Sequence, residues 1–249
     1  MDIHRLTAKE LSITLIFTAF VCVATCVLKV DIPQTRGYFN IGDTMVYTTA
    51  LLFGPYIGGI AGGAGSALAD IILAAPWYAP GTLVIKAIEG FLVGYISQRA
   101  NPIEKWRRLW RIVTIAVGVA LAFILYEVGT LYYNFEWQFT PLGHYLGSFR
   151  IDPAFWMVVA LLLEAFIIYA GVGLDPRVTW YGLAIVIGGT EMILGYLIYE
   201  FYPLGYAYGA FAEIPYNIGQ LIVGLALAIP IVRAIRKVIP LPGFSGIQQ

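Results

Sequence analysis

Seven ionisable side chains stand inside otherwise apolar runs of this sequence: Asp43, Asp70, Lys86, Glu89, Glu127, Glu164 and Glu191. A charge in hydrocarbon is costly unless it is paired or faces a polar cavity, so these positions hold whatever chemistry the chain performs. Asp43 lies about 13 residues before a turn near Pro55 and Gly58, and Asp70 about 13 after it. At a rise of about 1.5 Å per residue, both stand roughly 20 Å above that turn and share one level. Lys86 lies about one turn into the following span, and Glu213, Asn217 and Gln220 open the last span at helical spacing on one face. Four spans therefore deliver polar groups to one level, in the outer third of the bundle.

The reading this supports is a small-molecule pocket. Asn40, Asp43, Asp70, Lys86 and Asn217 would supply polar contacts, and Trp77 and Tyr78 a lid or stacking surface. Tyr38 and Phe39 in the first loop could also stack on a planar ligand. The competing reading is structural: Lys86 neutralises Asp70 or Glu89 to hold the bundle, and the aromatics are interface-belt residues. Glu127 and Glu164 fall in other spans and are expected to bond there.

These residues need helices to position them. Composition demands a bilayer: 59% of residues are hydrophobic, 12% charged, 27 are glycine, and mean hydropathy is +0.78. Eight apolar runs are legible, near residues 8–30, 42–53, 59–74, 82–97, 112–133, 154–173, 179–199 and 213–233. Gly54-Pro55 must turn the chain after the second, and the prolines of Ala75-Pro76-Trp77-Tyr78-Ala79-Pro80-Gly81 bar a continuous helix before the fourth. The first run lacks a small-x-small cleavage site and is followed by further spans, so it reads as a helix and not a signal peptide. Cys22 and Cys26, four apart on one helix face, read as packing residues. The fold class is an all-α polytopic membrane bundle of about eight transmembrane helices in one integral membrane domain, 1–249.

Lys and Arg sort by side. Arg5, Lys9, Arg99, Lys105, Arg107, Arg108, Arg111, Arg177, Arg233, Arg236 and Lys237 occupy one side, and Lys29, Arg36 and Arg150 the other. Eleven against three places both termini in the cytoplasm. Trp106, Leu109 and Trp110 alternate with Arg107, Arg108 and Arg111, as in a short helix lying at the interface, where it would anchor to headgroups or dock a cytoplasmic partner. The loop between the fifth and sixth spans carries Trp137, His144 and Arg150.

Several classes are excluded or unsupported. Zero formal net charge argues against nucleic acid. The stripe Gly58, Gly62, Ser66 with Gly59 and Gly63 reads as close helix packing, and the run 59–65 lacks the Lys-Ser/Thr of a phosphate loop. His4 and His144 lie outside the spans in no metal-ligand spacing, and no catalytic triad can be read, so no catalytic residue, metal or cofactor is expected.

A family resemblance rests on particular residues: Asn40-Ile41-Gly42-Asp43; Leu52-Phe53-Gly54-Pro55 with Gly58, Gly62, Ser66 and Asp70; Tyr78-Ala79-Pro80-Gly81-Thr82 through Lys86; and Glu213-Ile214-Pro215-Tyr216-Asn217-Ile218-Gly219-Gln220 with Gly224. The chain resembles the membrane-embedded substrate-binding (S) component of energy-coupling factor (ECF) vitamin transporters, in the riboflavin-type branch. The likeness covers about residues 11–97 and 179–237. Such S components usually have six helices, so the resemblance implies a core of 1–98 and 178–240 and an inserted transmembrane helix pair, 111–175. It also departs in the first span, where the family tends to have alanines four apart facing the coupling subunit, whereas Ala19 is followed here by Val23 and then Ala24.

The resemblance implies capture of a vitamin or vitamin precursor at the outer face of a prokaryotic plasma membrane. Riboflavin is the first candidate by family branch, with other vitamins, including pyridoxine-like compounds, still open. The implied partners are a transmembrane coupling subunit and two ATP-binding-cassette ATPases. The rival readings are a self-sufficient proton-coupled carrier relaying protons through Asp70, Lys86 and Glu191, and an intramembrane enzyme using paired glutamates such as Glu164 and Glu191.

Overall fold

The computed structural model describes residues 7–99, 105–132, 136–139, 147–150, 152–173 and 175–238. In chain order these form α1 (Ala8–Val27), β1 (Val30–Ile32), β2 (Gly37–Phe39), α2 (Asp43–Phe53), α3 (Pro55–Ile72), α4 (Ala79–Ser97), α5 (Arg107–Tyr132), β3 (Glu136–Phe139), β4 (Gly147–Arg150), α6 (Pro153–Ile168), α7 (Pro176–Phe201) and α8 (Ile214–Val238). A π-helical turn, Tyr169–Gly173, extends α6, and a 3-10 turn, Ala207–Glu213, leads into α8. The expected polytopic helical bundle is what forms, with one helix for each apolar run.

Six of the described helices are long and apolar enough to cross a membrane: α1, α4, α5, α7, α6 with its π turn, and α8 with its 3-10 lead-in. The glycine-rich α3 falls outside that set, and α2 has only 11 residues. At about 1.5 Å per residue α2 rises roughly 16 Å, about half of a hydrocarbon core.

Local chemistry explains the element ends. Thr7 and Glu10 form a reciprocal capping box at the start of α1, with Thr7 N–H donating to Glu10 Oε2 at 2.8 Å. Between α2 and α3, Gly54 takes φ +87°, a conformation that favours glycine, and Pro55 begins the next helix where its missing N–H is harmless. Pro80 likewise sits in the first turn of α4. The loop after α1 is a small antiparallel hairpin pairing Val30 with Phe39 and Ile32 with Gly37. Just past the hairpin, Asn40 Oδ1 accepts from Gly42 N–H at 2.8 Å immediately before α2 begins.

The chain divides into two compact units, Met1–Ala100 with Trp180–Gln249, and Asn101–Thr179. In the first, α3 packs on α4 and α1, and α2 packs on α8, α3 and α4. The glycine stripe lets these backbones meet: a Cβ at Gly62 would lie 2.9 Å from the Lys86 carbonyl oxygen, and one at Gly59 would lie 2.9 Å from that of Ala87. The apolar core beneath is built from Val21, Val46, Leu51, Ile57, Val93, Ile185 and Val232, one or more from each of α1, α2, α3, α4, α7 and α8. Arg236 closes its far end, donating to the Tyr181 hydroxyl at 2.5 Å and to the Leu51 carbonyl at 2.7 Å.

In the second unit α5 packs on α6, with Gly118 facing Glu164 and Ile167. The basic stretch expected to lie flat at the interface is instead the start of α5, continuous from Arg107. Trp110 ties this first turn to the neighbouring helix: its indole N–H donates to the Gly171 carbonyl at 2.9 Å, satisfying a backbone acceptor in the π turn. The connection after α5 contains a hairpin pairing Glu136 with Arg150 and Phe139 with Gly147; His144 lies outside the described residues, as does His4.

Candidate functional site

One end of the first unit gathers three connections: the β1–β2 hairpin, residues 73–78 between α3 and α4, and residues 202–213 between α7 and α8. Below them is a small, partly open cavity. Its wall takes Thr25 from α1, Gly37, Tyr38 and Asn40 from the hairpin region, Ser66 and Asp70 from α3, Tyr78, Thr82 and Lys86 at α4, Tyr196 from α7, and Glu213, Asn217 and Gln220 at the start of α8. The near-helical spacing of Glu213, Asn217 and Gln220 is what turns all three inward.

Lys86 sits at the floor, 3% exposed. Its ammonium is hydrogen-bonded to Asp43 and lies 3.0 Å from Glu89 Oε2. Asp43 and Glu89 are themselves buried, and the Tyr47 hydroxyl donates to Glu89 Oε1 at 2.7 Å. Two buried carboxylates thus flank one buried cation, so each of the three charged groups has an opposite charge beside it. The Tyr196 ring lies under the same ammonium, 5.7 Å from its centroid.

Higher on the wall the carboxyls meet hydroxyls and not cations. Tyr38 donates to Asp70 Oδ1 at 2.5 Å, and Tyr196 donates to Thr82 Oγ1 at 3.0 Å. Thr35 donates to Glu213 Oε1. The Tyr78 hydroxyl lies 3.1 Å from Glu213 Oε1, 3.2 Å from the Thr35 carbonyl oxygen and 3.4 Å from Glu200 Oε1, and its single proton serves one of them at a time. Burial first, then the Asp70 charge, pushes the Tyr38 phenol upward; burial, then Glu213 and Glu200, does the same to Tyr78. Both stay protonated and act as donors.

Tyr78 therefore ties the hairpin to the α7–α8 connection across the top of the cavity. Tyr78→Phe is expected to destabilise the chain by about 1–3 kcal/mol, since Glu213 and the Thr35 carbonyl lose a shared donor while buried. Denaturant titration of the full chain checks this. Faster proteolysis within residues 30–39 should accompany it, because the hairpin loses an anchor.

The family model described as the ECF-type riboflavin transporter, S component, matches residues 5–139. The chain belongs to this S-component family. The S component is thereby a multi-pass, membrane-embedded, vitamin-binding subunit of a transporter, as its sequence leads one to expect. The matched range begins before α1 and ends after α5. A protein of Pyrococcus woesei, described as "Uncharacterized protein in gap 3'region", is 43% identical over 112 residues, 44% of this chain and 75% of that protein.

Of the residues expected at the site of this S component, Asn40, Asp70, Tyr78, Lys86 and Asn217 line the cavity together. Asp43 is one step behind the wall, held on Lys86. Trp77 is not on the wall: its side is 39% exposed, and its carbonyl accepts from the Tyr199 hydroxyl at 2.9 Å. Tyr78, next in the chain, is the aromatic that turns inward. Lys86 pairs with Glu89 as the structural reading has it, but its other partner is Asp43, with Asp70 bound to Tyr38 instead. Glu127 and Glu164 belong to the other compact unit. Sequence reasoning missed Thr25, Thr35, Tyr196 and Glu200. The hydroxyls carry no charge to draw attention in an apolar run, and Glu200 ends its run among tyrosines that read as a belt.

Proposed function

We propose that this S component captures riboflavin in the cavity and delivers it inward when a transmembrane coupling subunit and two ATP-binding-cassette ATPases act on it. The observation that carries this is the cavity itself. It is lined by five of the residues chosen from the sequence alone, within the compact unit that holds α1 to α4 and α8. Its end of the bundle bears Lys29 and Arg36, whereas Arg99, Arg233, Arg236 and Lys237 fall at the opposite ends of their helices. The positive-inside bias then turns the cavity outward, with both termini in the cytoplasm of a prokaryotic cell whose plasma membrane holds the chain. On this reading residues 111–175 are a helix pair inserted into the six-helix core, in keeping with the separate compactness of α5 and α6. No phosphate loop is present in the sequence, so ATP hydrolysis falls to partners.

The test is native mass spectrometry of the detergent-purified chain after brief exposure to a vitamin mixture, with Asp70→Asn and Asn217→Ala alongside. The expected result is a retained riboflavin mass, reduced at least about tenfold in occupancy in either variant. Retention of a different vitamin would replace the ligand and keep the role.

A second reading, a proton-coupled carrier, is favoured by one observation: Glu191, its Oε2 buried and without a hydrogen-bond partner, lies on α7 within electrostatic reach of Lys86. Uptake into vesicles by the chain alone under a proton gradient would establish the carrier. Binding without such uptake is expected of the S component.

A further inference from the structure

Four chain segments meet at the Tyr78 hydroxyl, and what they bring there is oxygen. Thr35 lies in the turn between β1 and β2, Tyr78 just before α4, Glu200 next to the last residue of α7, and Glu213 at the end of the 3-10 turn before α8. Around the Tyr78 oxygen stand Glu213 Oε1 at 3.1 Å, the Thr35 carbonyl oxygen at 3.2 Å and Glu200 Oε1 at 3.4 Å. The Thr35 hydroxyl is also on Glu213 Oε1. Gly37 has no side chain to hold the hairpin off: a Cβ there would lie 2.8 Å from Glu213 Cδ and 3.0 Å from the Tyr78 hydroxyl oxygen.

No positive charge answers these carboxyls. Glu200 is 0% exposed and Glu213 4%, and neither is in an ion pair among the described residues. Arg36, beside Thr35 in the chain, is exposed, and Lys86 is held by Asp43 and Glu89. Glu200 Oε2 is buried with no hydrogen-bond partner. Two buried carboxylates side by side do not both stay ionised without a counter-charge. A proton shared by the pair, added to the Tyr78 and Thr35 hydroxyls, still leaves three hydrogens for four acceptors: Glu200 Oε1 and Oε2, Glu213 Oε1 and the Thr35 carbonyl.

One hard cation satisfies them together. Calcium takes several oxygens at about 2.3–2.6 Å, which puts neighbouring ligand oxygens about 2.8–3.6 Å apart, the spacing found around Tyr78. The hydroxyls turn their protons outward and offer lone pairs, and two carboxylates match a divalent charge. Magnesium demands a near-regular octahedron and keeps its waters, which an enclosed, irregular set of protein oxygens does not suit. We infer that Glu200, Glu213, Tyr78 and Thr35 form a site for one divalent cation of the calcium class, which fastens the β1–β2 hairpin to the α7–α8 connection over the cavity. On the outward orientation proposed above, the ion comes from outside the cell, and the affinity expected is that of extracellular calcium sites.

The experiment is limited proteolysis of the detergent-purified full chain, stripped with a chelator and then given calcium or magnesium at about 1 mM and constant ionic strength, beside calorimetric titration with calcium alone. With a Kd of about 0.1 mM, calcium should slow cleavage within residues 30–39 about tenfold and magnesium less than about twofold, because cleavage follows the open population. Glu200→Gln and Glu213→Gln should each abolish the calcium response without faster cleavage in chelator, since losing one of two facing charges relieves repulsion. Asp31→Asn, which changes an exposed hairpin carboxylate already paired with Lys29, should leave the response unchanged. Absence of calcium-dependent protection in the parent overturns the inference, as does protection that magnesium matches or that survives in both glutamine variants. Protection won by acidification in chelator, with calcium adding nothing, would overturn the metal and assign the pair a shared proton. Riboflavin retention is read separately, so a failed cation site leaves the vitamin-binding role standing.

Discussion

Lys86→Ala should destabilise the chain by about 3–5 kcal/mol, because it leaves Asp43 and Glu89 buried together with no cation between them. Each carboxylate is desolvated at its present position, and the loss is the exposed cost of that desolvation more than the strength of the contacts removed. Denaturant titration in detergent, with monodispersity after heating as a second readout, measures it. Asp43→Asn and Glu89→Gln singly should each cost less, since Lys86 keeps one partner. The combined variant Lys86→Met, Asp43→Asn, Glu89→Gln removes all three charges at similar volume and is expected to recover most of the lost stability. Its ligand retention separates the two readings of Lys86. Recovered stability with lost retention makes the triad part of the binding floor; recovery of both makes it a bundle brace alone. A Lys86→Ala variant within about 1 kcal/mol of the parent would show that the three groups are not a compensated set.

Why that triad was only half legible in sequence follows from what a linear pattern encodes. Rise per residue places Asp43 and Asp70 at one height, and the turn at Gly54-Pro55 that sets the height is visible as a glycine-proline pair. The rotation of each helix about its axis is not encoded in the same way. It is set by where the glycine stripe of α3 lets α2 and α4 approach, and it sends Lys86 to Asp43 and Glu89 while Asp70 turns up to Tyr38. Likewise the aromatic connection was visible, but not which of Trp77 and Tyr78 turns inward, since that depends on the phase at which α4 begins at Ala79. The hydroxyl network had even less signal: Thr35 meets Glu213 across 178 positions of chain, through a hairpin too short to show strand periodicity. The basic stretch misled for a different reason. Trp110 and the arginines fit a short separate helix by composition, whereas the structure makes them the first turns of α5, with Trp110 bonded to the Gly171 carbonyl.

The same glycine stripe supports the second large effect. Gly58→Val is expected to prevent folding or to destabilise by about 3 kcal/mol or more. A Cβ at Gly58 would stand 2.7 Å from Ala50 Cα and 3.0 Å from the Gly90 carbonyl oxygen, both backbone atoms of neighbouring helices that cannot swing aside as a side chain does. Gly90 faces the stripe reciprocally: a Cβ there would lie 2.7 Å from the Gly58 carbonyl carbon. Relief would require α2 and α4 to move away from α3, and α4 carries Lys86 and Glu89 while α2 carries Asp43. Prising the helices apart at their glycine contact thus opens the ion triad as well, so the packing loss and the electrostatic loss arrive together. Gly182→Val in α7 is the matched control, because nothing lies within 4 Å of a Cβ at that position. It should express and unfold like the parent, with valine changing only a helix position open to its surroundings. Should Gly58→Val behave like Gly182→Val in denaturant titration, the close approach of α3 to its neighbours would be wrong, and with it the height and pairing of every charged group at the cavity floor.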